Sequence, residues 1–211
     1  MTRRTQQQRR EATIAKLLEA TIECLVEHGY RNTSIGRICT RAGVSHGGLF
    51  RHFPSRVALL AAASDEIGRR HLIALRQQLA VPKQSADLPE SLIRSFREAA
   101  QSPMSAAWRE LIVACRTDEE LKRSVAPTVD RLESSLIAFS AQIPGAPSGH
   151  QAFATLVLSL LHMYDSESAT AYLDESPDIM TERDRWATEL LRGALHPPLH
   201  RLRVSDDPLP M

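Results

Sequence analysis

The sequence has few of the features that mark secreted, membrane-spanning or metal-dependent proteins. Its three cysteines, Cys24, Cys39 and Cys115, are isolated and odd in number, which favours reduced core thiols over disulfides or a metal site. The longest apolar runs, such as Leu156 to Leu161, are far shorter than the roughly 20 residues needed to span a bilayer. The N-terminus is polar and basic and lacks the apolar stretch of a secretory signal. We therefore expect a cytoplasmic protein that binds no metal, cofactor or membrane.

The sequence also lacks the common catalytic motifs and the alternating pattern of β-strands. It contains no Gly-x-Ser-x-Gly elbow, no His-Glu-x-x-His pair and no phosphate-binding glycine loop. No segment of useful length alternates polar and apolar residues, whereas helical spacing recurs along the chain. The prediction is an all-α protein that is not an enzyme.

A net charge is almost absent, but the near-neutral total hides a strong asymmetry. The 211 residues carry 26 Lys and Arg against 25 Asp and Glu, a formal net charge of +1. Residues 1 to 60 hold ten basic and four acidic side chains, a net +6, so the remainder carries −5. Such asymmetry indicates an anionic partner for the basic part.

Four helices are predicted in the basic part. The first runs from Arg9 to His28 and ends at Gly29, because glycine adopts the positive φ of a C-terminal cap. The others are short helices over Ser34 to Arg41 and about His46 to His52, and a long helix capped by Ser55 that reaches about Leu79.

The helices predicted beyond this point bring the expected total to about nine. A capping box of Thr117 and Glu120 starts one of them at Asp118, Pro127 is expected to kink it, and Thr181 is expected to cap the last one. The other segments with a helical pattern are Leu88 to Ala100, Met104 to Arg116 and Ala152 to Met163.

The second and third helices, joined by Ala42-Gly43-Val44-Ser45, form a predicted helix-turn-helix. Glycine costs a helix roughly 1 kcal/mol against alanine, so Gly47-Gly48 in so short a helix needs a compensating reason. Close approach of the backbone to DNA bases is one such reason. The alternative is a helical hairpin that only packs against its neighbours.

At this point the sequence resembles the tetracycline-repressor-like (TetR/AcrR) family of bacterial regulators over about residues 10 to 60. The matching residues are Gly29-Tyr30, Thr33-Ser34-Ile35, Ile38, Arg41-Ala42-Gly43-Val44-Ser45, Gly47, Leu49-Phe50, His52-Phe53, Ser55-Arg56 and Leu59-Leu60. The resemblance implies phosphate contacts from Thr33, Ser34, Phe50, His52 and Arg56, and base-edge contacts from His46, Gly47 and Gly48. Arg51 is a further basic group suited to phosphate.

Three positions depart from the family pattern. Phe50 replaces a common tyrosine and loses a hydroxyl that binds phosphate, and Arg56 replaces a frequent lysine. Gly36 stands where some members read a base with arginine, so base reading here depends more on the third helix and the basic arm. That arm is a candidate for the minor groove, and solvated disorder is the alternative for its first two residues. Its basic residues are Arg3, Arg4, Arg9 and Arg10.

For the rest of the chain, the resemblance implies a ligand pocket between helices and a dimer interface. The pocket candidates are Phe96, Met104, Trp108, Leu111, Ile112, Cys115, Phe139, His162, Met163 and Tyr164. Most of them fit plain core or interface better, because any helical bundle needs apolar residues at helical spacing, and His162 is either a ligand group or a histidine satisfied inside the core. The interface candidates are Leu156, Leu160, Trp186, Leu190 and Leu191.

The sequence therefore predicts a homodimeric regulator, most simply a repressor that a small molecule releases from a palindromic operator in double-stranded DNA. The expected domains are residues 1–57 for DNA, residues 58–203 for effector and dimerisation, and a flexible tail at 204–211. Two alternatives remain open at this stage. One is a DNA-binding protein of the same fold that organises chromosomes without a ligand, and the other is a helical-bundle enzyme or carrier.

Overall fold

The computed structural model describes residues 5–80, 88–147, 151–173 and 176–196, and these residues form an all-α fold. A short 3-10 helix, Ala171–Leu173, follows the eighth helix. The helices of the described part are α1 (Gln6–Asn32), α2 (Ile35–Ala42), α3 (His46–Phe50), α4 (Arg56–Ala80), α5 (Leu88–Ala100), α6 (Pro103–Ala114), α7 (Glu119–Ser140), α8 (Gln151–Thr170) and α9 (Pro177–Leu195). The predicted tail and the arginines at positions 3 and 4 lie outside the described residues.

Helix α1 begins earlier and ends later than the sequence pattern predicts. A capping box at Thr5 and Gln8 starts it, with each side chain accepting a hydrogen bond from the other residue's backbone N–H. Gly29 has the predicted positive φ of 70°, but one further helical turn follows this break and continues to Asn32. Gly29 therefore kinks the end of α1 rather than terminating it.

Two predicted helix caps are wrong, each for a different local reason. Helix α7 is capped by Asp118, whose carboxylate accepts from the backbone N–H of Leu121 at 2.9 Å, so Thr117 lies outside the helix. Helix α9 begins at Pro177, because proline suits the first helical turn, and Thr181 therefore lies inside it. Helix α7 continues through Pro127.

Three clusters of buried apolar residues hold the helices together. The first lies behind α2 and α3 and includes Leu17, Ile38 and Leu49. The second is built from α1, α4, α6 and α7, and the third from α4, α5, α7, α8 and α9. We call α1 to α3 the head and α4 to α9 the bundle. Since α1 and α4 contribute to both the first and the second cluster, the head and the bundle share packed side chains.

Candidate nucleic-acid interface and effector cavity

The helix-turn-helix is built from three local features. The Ser34 hydroxyl caps α2 by accepting from the backbone N–H of Arg37 at 3.3 Å. Gly43 then turns the chain with φ at 63°, in the left-handed region where glycine has no Cβ to clash. The Ser45 hydroxyl caps α3 by accepting from the backbone N–H of Gly48 at 3.1 Å. All three residues lie in the segment that the sequence predicts to be a helix-turn-helix.

One side of α3 anchors it, and the other side is open. Leu49 and Ile38 are fully buried and Phe53 is 8% exposed. His46, Gly47, Phe50 and Arg51, in contrast, are exposed, and Phe50 is exposed over 49% of its surface. An exposed α3 on a buried anchor is the arrangement that entry into a major groove requires.

The two glycines of α3 lie in different surroundings, so the fold restricts side chains differently at the two positions. A Cβ built on Gly47 meets no heavy atom within 4 Å, so this position is bare towards solvent. A Cβ on the half-buried Gly48 lies 2.9 Å from a methyl carbon of Val44 and 3.2 Å from Ser45 Oγ. Packing against Val44 therefore demands glycine at position 48, whereas the fold does not demand it at position 47.

Arg56, for which a phosphate contact is expected, directs its guanidinium towards backbone carbonyls at the end of α1. Its Nε donates to the Thr33 carbonyl at 2.8 Å and its Nη2 to the Tyr30 carbonyl at 2.6 Å. Its guanidinium also lies 4.4 Å from the centre of the Tyr30 ring. Arg56 therefore fixes the α1–α2 connection, because two of its three nitrogens are already occupied.

Thr33 is also occupied within the protein. It is fully buried, its hydroxyl donates to the Gly29 carbonyl at 2.7 Å, and its N–H donates to the Tyr30 carbonyl at 3.3 Å. The Ser34 N–H donates to the Asn32 carbonyl at 3.0 Å, so the N–H groups open to a phosphate belong to the next residues, in the first turn of α2.

The positive charge of the head is not evenly available. Arg41 pairs with Glu23 and Glu27 on α1, and these hydrogen bonds raise its pKa further. Arg37 and Arg51 are exposed and form no ion pair with the described residues. Arg37 is a candidate contact that the sequence pattern missed, because nothing in the sequence distinguishes it from the paired Arg41.

His46 and His52 occupy different environments. His46 is exposed, and its Nε2 lies 4.0 Å from the position of a Cβ on Gly36, so the bare α2 residue leaves room for the imidazole. His52 is half-buried, and its Nδ1 is buried without a hydrogen-bond partner among the described residues.

Tyr30 connects the head to two helices of the bundle. Its backbone N–H donates to Glu110 Oε2 on α6 at 2.7 Å, and its hydroxyl donates to Asp118 Oδ2 at 2.5 Å. The bond from Tyr30 lowers the pKa of the Asp118 carboxyl. Gly29 is needed beside this junction, because a Cβ there would lie 2.9 Å from Glu110 Oε2. The end of α1 is thus bonded directly to α6 and to the start of α7.

A cavity of about 380 Å³ lies among α4, α5, α6, α7 and α8. Four of the predicted pocket residues line it: Phe96, Met104, Trp108 and His162. The other candidates lie elsewhere. Leu111 and Phe139 are buried in the core, and Cys115 packs on the core formed by α1, α4, α6 and α7. Ile112 is exposed, and Met163 lines a groove beside α9. Tyr164 is buried, and its hydroxyl donates a hydrogen bond to Asp184. His71, Arg70 and Asp165 line the cavity and were missed, because they lie on polar stretches of their helices.

The predicted interface residues divide into two sets. Leu160 and Leu191 are buried in the core of this chain, so they are not free to contact a second copy. Leu156 is partly buried against the same core. On α9, Trp186 is 51% exposed, Ile179 56% and Leu190 37%. Large apolar side chains therefore remain uncovered on one helix of the monomer.

No helix among residues 5–80, 88–147, 151–173 and 176–196 is long and apolar enough to cross a membrane. In the same part of the chain, no group of three or more His, Cys, Asp or Glu side chains is arranged to hold a metal ion.

Comparison with known proteins agrees with this geometry. The family model "Bacterial regulatory proteins, tetR family" matches residues 17–63. An uncharacterized HTH-type transcriptional regulator of Mycobacterium tuberculosis is 34% identical over 194 residues, 91% of this chain and 99% of the relative. The structure of a TetR-family regulator from Rhodococcus has a TM-score of 0.68 and 20% identity, over 88% of this chain and 100% of that one. The multidrug binding protein EbrR, solved with imidazole, has a TM-score of 0.65 and 18% identity, over 89% and 97% of the two chains. This chain belongs to the TetR family of bacterial HTH-type transcriptional regulators.

Proposed function

We propose that the protein is a homodimeric repressor that leaves a palindromic operator when a small molecule fills the cavity of the bundle. The observation that carries the proposal is the exposed face of α3, with His46 and Gly47 open to solvent and Leu49 buried behind them. In this proposal residues 1–57 bind DNA, and the helices after them bind the effector and a second copy.

Base reading is assigned to His46 and to the bare backbone at Gly47. Imidazole nitrogens donate to or accept from base edges, and a residue without a side chain lets the helix lie deep in the groove. Phosphate contacts are assigned to the exposed Ser34 and Arg51, to His52, and to Arg37, whose guanidinium has no partner among the described residues. The exposed Phe50 ring is assigned an apolar contact with a sugar or a thymine methyl group. Arg56 and Thr33 act one step back, because they hold the chain that presents these groups.

Release by an effector is supported by the path from the cavity to the head. Helices α4 and α6 line the cavity with His71, Met104 and Trp108, and the same two helices reach the head. Helix α4 starts at Arg56, and α6 carries Glu110, which accepts from Tyr30. A molecule that separates α4 from α6 therefore displaces the end of α1. Release also requires that the effector binds the displaced conformation more tightly. EbrR is a multidrug binding protein, which supports a small-molecule role for the cavity.

Dimerisation is assigned to the exposed apolar face of α9, with Trp186, Ile179 and Leu190. Exposed apolar residues grouped on one helix mark contact surfaces. A two-fold dimer places two copies of α3 on successive turns of DNA, so the operator is expected to be an inverted repeat.

The test is to map where the purified protein binds on fragmented DNA from its source genome. The proposal predicts a small number of sites, placed at promoters and containing inverted repeats. Dispersed binding at many sites would instead favour a chromosome-organising role. Addition of the effector must release the protein from the mapped sites; an effector that binds and leaves operator affinity unchanged would contradict the release step.

A further inference from the structure

The cavity has apolar walls and a modest size. Its walls include Phe96, Trp108, Met104, Leu136 and Leu161, and its volume is about 380 Å³. Small-molecule sites range over roughly 300–1,000 Å³, so this cavity lies at the small end. Its shape and lining therefore suit a compact aromatic molecule of one or two rings.

The hydrogen bonds of His71 fix which of its nitrogens carries the proton. Its Nε2 lies 3.1 Å from Ser105 Oγ on α6. The single hydroxyl proton of Ser105 is donated to the Ala99 carbonyl at 2.8 Å. Ser105 can therefore only accept from the imidazole, so Nε2 is the protonated nitrogen. Burial lowers the pKa of His71, although the Asp165 carboxylate partly offsets this, so the ring is neutral near pH 7 and Nδ1 is a hydrogen-bond acceptor.

Nδ1 of His71 is available to a ligand. It forms no hydrogen bond with any residue in the described ranges. In the described part of the chain, two side-chain atoms are buried without a hydrogen-bond partner, His52 Nδ1 and Glu90 Oε2. His71 Nδ1 also has no partner but is not one of these buried atoms, so it is accessible, and His71 lines the cavity. Asp165 offers a second acceptor nearby, since Arg109 occupies its Oδ1 at 2.7 Å.

The cations around the cavity are already engaged. The Arg70 guanidinium is bonded to Glu66 and Glu19, both at 2.6 Å, and these hydrogen bonds raise its pKa. Arg109 donates to Asp165 and to the Ala100 carbonyl. The other titratable lining residues, Glu98 and His162, are exposed to solvent. Among the described residues, the interior therefore presents acceptors and no free cation, which is unfavourable for an anionic ligand.

We propose that the effector is a neutral aromatic molecule of one or two rings whose hydroxyl or amine donates a hydrogen bond to His71 Nδ1, and that aromatic carboxylates are rejected. The inference rests on the proposed function, in which this cavity is the effector site. It adds the chemical class of the effector and the residue that recognises its polar end.

The test uses three two-ring probes that differ at one substituent. Isothermal titration calorimetry on the full chain compares 2-naphthol, its methyl ether and 2-naphthoate. The ether has the same ring but no donor, so it is expected to bind about tenfold more weakly than 2-naphthol, as one lost hydrogen bond implies. The carboxylate is expected to bind more weakly still, because it brings a charge without a partner.

Variants of His71 identify the group responsible. His71→Leu is expected to weaken 2-naphthol about tenfold and to leave the ether unchanged, whereas His71→Gln retains an acceptor and restores part of the difference. If His71→Leu fails to fold, the glutamine variant and the probe series on the natural protein decide the question. The proposal is overturned if His71→Leu weakens the binding of 2-naphthol and of its ether equally. It is also overturned if 2-naphthoate binds more tightly than 2-naphthol, or if no probe binds.

Operator release is scored separately, so that the two proposals can fail independently. If 2-naphthol binds in the predicted order but leaves the protein on its operator, the release step of the proposed function is wrong and the chemistry of the cavity stands. If 2-naphthoate binds the cavity most tightly and releases the operator, the proposed function stands and the effector class is wrong.

Discussion

The structure places the Arg56 guanidinium against backbone carbonyls, whereas the family resemblance implies that it contacts a phosphate. The perturbation is Arg56→Ala, which removes the hydrogen bonds to the Thr33 and Tyr30 carbonyls and the contact with the Tyr30 ring. A hydrogen bond to a charged group contributes about 1.5–3 kcal/mol when buried, and a half-exposed cation–π contact about 0.5–1 kcal/mol. Because Arg56 is only half-buried, we expect a total loss of about 3 kcal/mol, or roughly 6–12 °C in Tm for a chain of this size.

The matched control is Arg51→Ala, which removes an exposed cation that has no partner in the described part of the chain. Its free energy of unfolding is expected to stay within about 0.5 kcal/mol of that of the natural protein, as is usual for surface changes. The slope of log K for operator binding against log salt should fall in magnitude by about 0.9, because one phosphate contact is lost. Arg56→Ala should keep the natural slope when operator binding is measured well below its lowered Tm.

The assay pairs thermal unfolding at fixed protein concentration with operator titrations at several salt concentrations. If Arg56→Ala leaves Tm unchanged and reduces the salt slope by the value of one phosphate, Arg56 binds DNA directly. The inward assignment of its guanidinium would then be refuted.

Three further predictions follow from contacts at the head and on α9. Gly47→Ala should raise stability by up to about 1 kcal/mol and weaken operator binding. Gly48→Ala should lower Tm, because its Cβ lies against Val44. Equal effects of the two substitutions on Tm would contradict this difference. Tyr30→Phe removes the bond to Asp118 and should cost about 1 kcal/mol and reduce the drop in operator affinity that effector causes; unchanged coupling would remove Tyr30 from the path. Trp186→Glu should yield monomers in light scattering at low concentration, and persistent dimers would reject α9 as the interface.

The sequence predicted the fold class and the exposed face of α3 because local signals determine them. The cap residues Ser34 and Ser45 and the left-handed Gly43 act within a few residues, and periodicity identifies the buried Leu49. Such signals are readable from the chain alone, since their partners lie within one helical turn.

The remaining roles could not be predicted, because their partners are distant in the sequence. Arg41 is paired because α1 brings Glu23 and Glu27 beside it, whereas Arg37 has no ion-pair partner among the described residues. The acceptor for the Tyr30 N–H is Glu110, 80 positions away. The cavity is likewise formed by residues of five helices, and His71 carries no local mark of its position there.

Selection of binding sites from random duplexes tests most directly whether two copies of α3 read DNA through His46 and Gly47. We expect an enriched inverted repeat with half-sites about one helical turn or a multiple apart, and a change of the preferred bases in His46→Ala. Enrichment of a single unpaired half-site, no sequence preference, or an unchanged preference in His46→Ala would contradict it.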